Sequence, residues 1–196
     1  HLSVHRQGEY PDCLPMLCRK YSIRKGIIAS VITLSDTIRK QLYELPFTVL
    51  ELNYQTPVPI TVHYETPETL GMDRLAATVA ANYLKPDNDI LVIDAGTCIT
   101  YDFIDKAGNY WGGNISPGMR MRFKALNMFT SKLPEISPEG AKPLYGKTTE
   151  TAIRSGVIHG IELEIGGYIH QLQKNYPSVL VFLTGGDEFS FDTKLK

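Results

Sequence analysis

What the chain lacks narrows the field first. No apolar run approaches the ~20 residues of a membrane-spanning helix. The longest stretches, near residues 27–34 and 75–84, are interrupted by Ser, Thr or Asn. Neither sign of charge dominates: Lys and Arg total 20, Asp and Glu 21, and the net charge is −1. That leaves no electrostatic footprint for nucleic acid. Cysteine is scarce, with only Cys13, Cys18 and Cys98. An odd, low count without paired spacing argues against a disulfide framework and fits a reducing cytosol. Cys13 and Cys18 are also wrongly spaced for a zinc knuckle. His5, His63, His159 and His170 have no acidic or cysteine partner at ligand spacing and read as structural or surface residues. The first residues show no apolar stretch of signal-peptide type. The expectation is a cytoplasmic protein with neither membrane nor nucleic acid as partner.

What is present is ordinary for a globular protein: 43% hydrophobic and 21% charged residues. At 196 residues the chain can bury a substantial core in one domain or two small ones. The pattern along it is α/β. A weak helix is expected over 11–20, a buried strand over 27–32, a helix over 37–43 behind the Ser35-Asp36 cap, and a strand over 47–50. A short alternating strand, 60–64, precedes a polar loop. An amphipathic helix then carries Leu75, Ala76, Val79, Ala80, Tyr83 and Leu84 on one stripe. Three strands follow within 90–118. Ser116-Pro117 reads as a helix start, with the helix running to about Ser131. Residues 132–148 read as irregular. A long helix, about Glu150 to Tyr176, holds Gly156, Gly160, Gly166 and Gly167. Each glycine costs about 1 kcal/mol relative to Ala, so close packing by another backbone, such as a second subunit's helix, is expected. The last strand is 179–183.

Chemistry concentrates in four places. Asp94-Ala95-Gly96-Thr97 ends a buried strand; its backbone can approach a phosphate, and its carboxylate suits a hard cation. Taken alone, a plain hairpin is the better reading. Gly71-Met72-Asp73-Arg74 opens a helix, where anions are favoured. Asp73 could orient a substrate hydroxyl, or could simply be a cap. Thr184-Gly185-Gly186-Asp187 follows a strand and could seat a flat ligand or phosphate. Gly112-Gly113-Asn114-Ile115-Ser116-Pro117-Gly118 is a ligand loop or a tight connection. The Arg120, Arg122, Lys124 run reads as a solvated helix face.

In this order the motifs are specific. Gly-x-Asp-Arg before a helix, Asp-x-Gly-Thr-x-x-Thr-x-Asp after a strand, Gly-Gly-x-Ile-x-Pro-Gly, Gly-x-x-Thr-x-x-Ala-Ile-x-x-Gly and Thr-Gly-Gly-Asp together resemble type III pantothenate kinase, of the acetate and sugar kinase/Hsp70/actin superfamily. The resemblance runs from about Ile27 to the end. It implies two ribonuclease H-like (actin-like ATPase) domains, here 1–66, incomplete, and 67–196. It implies ATP-dependent phosphorylation of pantothenate in coenzyme A synthesis, a homodimer, a monovalent cation (K⁺ or NH₄⁺) and Mg²⁺ with ATP. Asp73 resembles the general base, with Gly71, Met72, Arg74, Tyr64 and Thr149 at the pantothenate site. Asp94 resembles the cation ligand. Gly96, Thr97, Gly185 and Gly186 resemble nucleotide contacts.

Two departures accompany the resemblance. The Asp-x-Gly-Asn-Thr phosphate loop with which the family begins does not occur here, nor does the helix expected after Thr184-Gly185-Gly186-Asp187. With His1 at one end and Lys196 at the other, the sequence reads as part of a longer protein. The alternative to a kinase is a non-catalytic relative kept for regulation or protein interaction.

Overall fold

The computed structural model describes residues 10–30 and 34–186, with side chains from residue 15 onward. The chain divides into two compact units, one formed by residues 1–58 with 66–76, the other by 59–65 with 77–196. The end of the expected strand at 31–32, and Asp187, lie outside the described residues.

In the first unit, helix α1 (Tyr10–Tyr21) precedes strand β1 (Gly26–Ile28), helix α2 (Asp36–Tyr43) and strand β2 (Val49–Glu51). The α2 start follows the sequence: the Ser35 hydroxyl accepts from the Ile38 N–H, satisfying one of the first-turn donors. Strands β1 and β2 pair in parallel, which a strand–helix–strand crossover permits. Arg39 of α2 forks onto both carboxylate oxygens of Glu51, at 3.1 and 3.0 Å, and so ties helix to strand.

The second unit is built on five strands in the order β3 (Thr61–Val62), β6 (Asn109–Pro117), β5 (Cys98–Ile104), β4 (Ile90–Ala95) and β7 (Leu180–Thr184). Strands β4, β5 and β6 form the antiparallel meander, and β7 joins β4 in parallel. Strand β4 reads Ile-Leu-Val-Ile because both its faces are covered. Leu91, Ile93 and Ala95 pack with Ile99 and Tyr101 against helix α5 (Thr149–Gln173) and Phe123 of helix α4 (Met119–Met128). Ile90 and Val92 pack on the other face with Ile104 and Ala81, from the latter part of helix α3 (Met72–Leu84). Alternation follows from the two-residue period of a strand. Each buried Ile of α5, from Ile153 to Ile169, contributes about 1.5–3 kcal/mol.

One reading of the sequence changes. Ser116 and Pro117 do not start a helix; they end β6, with Pro117 opposite Cys98. The cap of α4 is Gly118. A proline at a strand end removes no needed ladder bond, and that placement competes with the helix-start reading of Ser-Pro. At the glycines of α5, the expected packing by another backbone is not supplied from within the described chain. A side chain at Gly156, Gly160, Gly166 or Gly167 would meet nothing within 4 Å, so no described part of this chain packs against them.

The irregular segment before α5 is anchored from the helix. Buried Arg154 donates to the carbonyls of Ser137 (3.1 Å) and Ala141 (3.3 Å) and pairs with Glu150. His159 Nδ1 lies 3.0 Å from Glu162 and Nε2 3.1 Å from the Lys142 carbonyl. The acidic neighbour that the sequence reading did not credit is thus one helical turn away. The hydrogen bond to Glu162 raises the His159 pKa above its usual value. Both ring nitrogens donate only in the charged form. The clamp is therefore complete below the unfolded-state value of about 6.5 and is lost as pH rises through the raised folded value. Trypsin cleavage within 132–148, normalised to an unstructured peptide, is expected to quicken between pH 6 and 8, and His159→Gln should flatten that profile. Arg154→Lys, which cannot reproduce the fork, should speed nicking at every pH. A pH-independent rate in the parent protein would refute the His159 clamp.

Candidate active site

Two glycines bring three backbone segments together at one end of the sheet. The turn between β4 and β5 is closed by the Gly96 N–H donating to the Cys98 carbonyl, at 3.0 Å. The Gly118 N–H donates to the Thr97 carbonyl, also at 3.0 Å. A methyl at Gly118 would overlap the carbonyl oxygens of Gly96 and Thr97. Gly185 follows β7 with φ +109°, a conformation that favours glycine. A side chain there would overlap the Ala95 backbone. The sequence Gly-Gly after a strand is thus used for close approach, with Gly185 against the turn and Gly186 facing open space.

A cavity of about 520 Å³ opens beside this junction, lined by Gly96, Thr97, Arg120, Met121, Lys124 and Gly186. Arg120 and Lys124 are one helical turn apart on α4 and so share a face. Both are exposed. The basic run splits, because Arg122 points elsewhere. Its Nη2 lies 2.6 Å from Glu164 and 2.8 Å from the Ser116 hydroxyl, and its Nε donates to the Pro117 carbonyl at 2.8 Å. Tyr101 OH donates to the other Glu164 oxygen at 2.7 Å. Burial opposes charge on Glu164, but the bonds from Arg122, Tyr101 and Ser116 hold its pKa below the usual carboxylate value. Burial and the acceptor Glu164 push the Tyr101 phenol upward. The network pins α4 at a fixed rotation over α5.

Asp94, next to last in β4, is half-buried, with Thr100 and Thr184 opposite it on the flanking strands. By alternation it shares the face of Ile90 and Val92. One carboxylate between two threonine positions offers oxygen donors suited to a hard cation that needs few protein ligands. Asp102, which closes the Asp-x-Gly-Thr-x-x-Thr-x-Asp motif, is buried and accepts from Tyr110 OH at 2.7 Å. It is a strut within the sheet.

The remaining predicted residues occupy other places. Thr149 is the first residue of α5, next to a capping box made by Thr148 and Thr151. It lines a separate, more apolar groove of about 740 Å³ with Arg122, Leu126, Leu133, Ile153 and Val157. Tyr64 lies over Gly112, where the extra residue Trp111 bulges β6 against β5. In the first unit, Asp73 is the second residue of α3, and its Oδ1 accepts from the Arg74 N–H at 2.9 Å. A side chain at Gly71 would press on that carboxylate. Met72 and Arg74 are buried. Asp73 is therefore inside the first turn rather than before it.

Residues 3–171 match the type III pantothenate kinase family. The chain belongs to that family. Among its relatives is the type III pantothenate kinase of Phocaeicola vulgatus, 72% identical over 185 residues, 94% of this chain and 76% of that protein. That of Bacteroides fragilis is 58% identical over 193 residues, 98% of this chain and 79% of that protein. A crystal structure of a Campylobacter jejuni protein described as a Baf family transcriptional activator is 24% identical, with a TM-score of 0.52. The match covers 88% of this chain and 73% of that one and supports the fold alone. The mixed α/β architecture is consistent with the actin-like ATPase fold of the family. Family membership makes the chain an enzyme, a transferase that uses ATP with a divalent metal.

The sequence reading named Gly118 only as the end of a candidate ligand loop and took Arg120 and Lys124 for a solvated helix face, whereas both cations line this cavity. A signal for the two cations was present: i, i+4 basic residues directly after Gly-Gly-x-Ile-x-Pro-Gly.

Proposed function

We propose that this protein phosphorylates pantothenate to 4'-phosphopantothenate with ATP, the first step of coenzyme A synthesis, and that the β4–β5 turn holds the nucleotide. The carrying observation is the convergence of Gly96, Thr97 and Gly186 with two exposed cations around one cavity. Backbone N–H groups, a hydroxyl and basic side chains are the means by which proteins hold phosphates. On this reading residues 1–66 are the remainder of one ribonuclease H-like domain, and 67–196 form the other.

Phosphoryl transfer with a loose transition state asks mainly for positioning and charge stabilisation. Asp73 accepts the hydroxyl proton of pantothenate as that oxygen bonds to the γ-phosphorus and the bond to the β–γ bridging oxygen breaks. The short tie to the Arg74 N–H supports a fixed carboxylate direction. Gly71, Met72, Arg74, Tyr64 and Thr149 are the proposed pantothenate contacts. Gly96, Thr97, Gly185 and Gly186 contact ATP. Asp94 would hold a monovalent cation, K⁺ or NH₄⁺. Mg²⁺ arriving with ATP supplies charge neutralisation at the phosphates. The test is ATP-dependent phosphorylation of pantothenate by the full-length protein, expected to depend on K⁺ or NH₄⁺. No turnover under any cation would overturn the kinase reading and favour a non-catalytic relative.

The working form is a cytoplasmic homodimer through α5. Gly156, Gly160, Leu163 and Gly167 share one face of that helix at i, i+4, i+7 and i+11, and Leu163 is 76% exposed. Light scattering at micromolar concentration is expected to give twice the chain mass, and Leu163→Glu to halve it. A monomeric parent protein would exclude this arrangement.

A further inference from the structure

We infer that Arg120 and Lys124 form a two-pronged clamp on the phosphate chain of the nucleotide, and that Arg122, between them in sequence, sets the clamp's direction. The inference rests on the reading that the cavity at the β4–β5 turn takes a nucleotide. Three observations carry it. First, Arg120 and Lys124 line the same cavity as Gly96, Thr97 and Gly186. Second, among the described residues no carboxylate lies within salt-bridge distance of either cation, whereas Arg122 is paired at 2.6 Å. Arg39 and Arg154 are likewise engaged by acidic groups. Among the described residues, the two positive charges beside this glycine-rich turn have no counter-ion. Third, their helix cannot rotate freely. Arg122 is bonded to Glu164, Ser116 and the Pro117 carbonyl, and Phe123 is buried in the core. With those two side chains fixed on one side, positions 120 and 124 must face the other.

The chemistry of the lining selects which end of the nucleotide is held. Among the described residues, Met121 is the one large apolar side chain on the cavity wall; the others lining it are glycines, a threonine and two cations. That composition suits anionic oxygens better than a flat base, which calls for an aromatic or broad apolar platform. Arg supplies a planar fork and Lys a mobile point charge, so the pair can follow a chain of phosphates. A charge-assisted contact of this kind is worth roughly tenfold in affinity.

The experiment measures binding directly, so that it does not depend on turnover. ADP, ATP and inorganic tripolyphosphate are titrated into the full-length protein by calorimetry, with Arg120→Ala, Lys124→Ala, the double variant and Lys106→Ala, an exposed residue of the β5–β6 turn, as control. Each single change should weaken ATP about tenfold. The double change should abolish tripolyphosphate binding, and the control should match the parent. In steady-state assays the loss should appear in KM for ATP, with KM for pantothenate at saturating ATP little changed. Arg122→Lys should weaken ATP binding in part, with melting lowered as well. ATP affinity within twofold of the parent protein in the double variant would overturn the clamp. So would displacement of ATP by adenosine but not by tripolyphosphate. A parent protein that binds ATP through this pair but leaves pantothenate unphosphorylated would refute the proposed reaction and leave the clamp standing.

Discussion

An Asp73→Asn protein is expected to lose turnover by about 10²–10⁴-fold, the usual contribution of a positioned proton acceptor. It should melt with the parent protein and bind ATP as tightly. The substitution keeps the side chain's shape and its oxygen, so the bond from the Arg74 N–H can survive. What disappears is the capacity to take a proton. The prediction separates the two roles weighed for this residue. Asn serves a helix start about as well as Asp, so a residue that served only the helix would leave both melting and catalysis nearly intact on this change. A catalytic base would lose turnover and keep its melting temperature. Full activity in Asp73→Asn, checked by coupled assay alongside a thermal melt, would remove Asp73 from the chemistry.

The second large effect is expected at Gly118. A single methyl there would collide with two backbone carbonyl oxygens, of Gly96 and Thr97. Backbone cannot swing aside as the end of a flexible side chain can. Overpacking of this kind costs about 1–3 kcal/mol. At about 2–4 °C per kcal/mol for a chain of this size, Gly118→Ala should lower Tm by on the order of 5 °C. Because the displaced backbone is the turn itself, ATP binding should weaken together with stability. Gly166→Ala on α5, outside the face assigned to the dimer, is the informative contrast: its added methyl meets nothing among the described residues and replaces a poor helix former with the best one. If Gly118→Ala melted like the parent protein and bound ATP normally, the close packing of β6 on the turn would be unimportant to the site.

Much of this was legible from the residues. The run Ile90–Ile93 announced a strand covered on both faces, and the apolar stripe of α5 announced the helix that covers one of them. The Ser35 cap fixed the start of α2. The Asp94–Thr97 turn, weak alone, gained meaning from the order of its neighbours. What stayed hidden depends on contacts distant in sequence. Nothing local says that Arg122 meets Glu164, 42 residues away, and without that contact the basic run after Gly118 looks uniform. Pro117 was misassigned because Ser-Pro is an equally good strand end, and only pairing with Cys98 decides between them. Glu162, one helical turn from His159, is a visible partner that a search at metal-ligand spacing passes over, while the Lys142 carbonyl is backbone and invisible to any search for side-chain ligands.

The place of β7 has a consequence for how the protein is made. The parallel partner of β4 emerges from the ribosome about ninety residues after it, behind α5. Until then β4 exposes one unsatisfied edge, a template for unwanted pairing with other chains. Gly185 follows β7, so the nascent chain completes the Ala95 contact only once β7 is in place. A chain stalled before residue 180 would carry the turn, α4 and both cations, and still lack one wall of the nucleotide pocket.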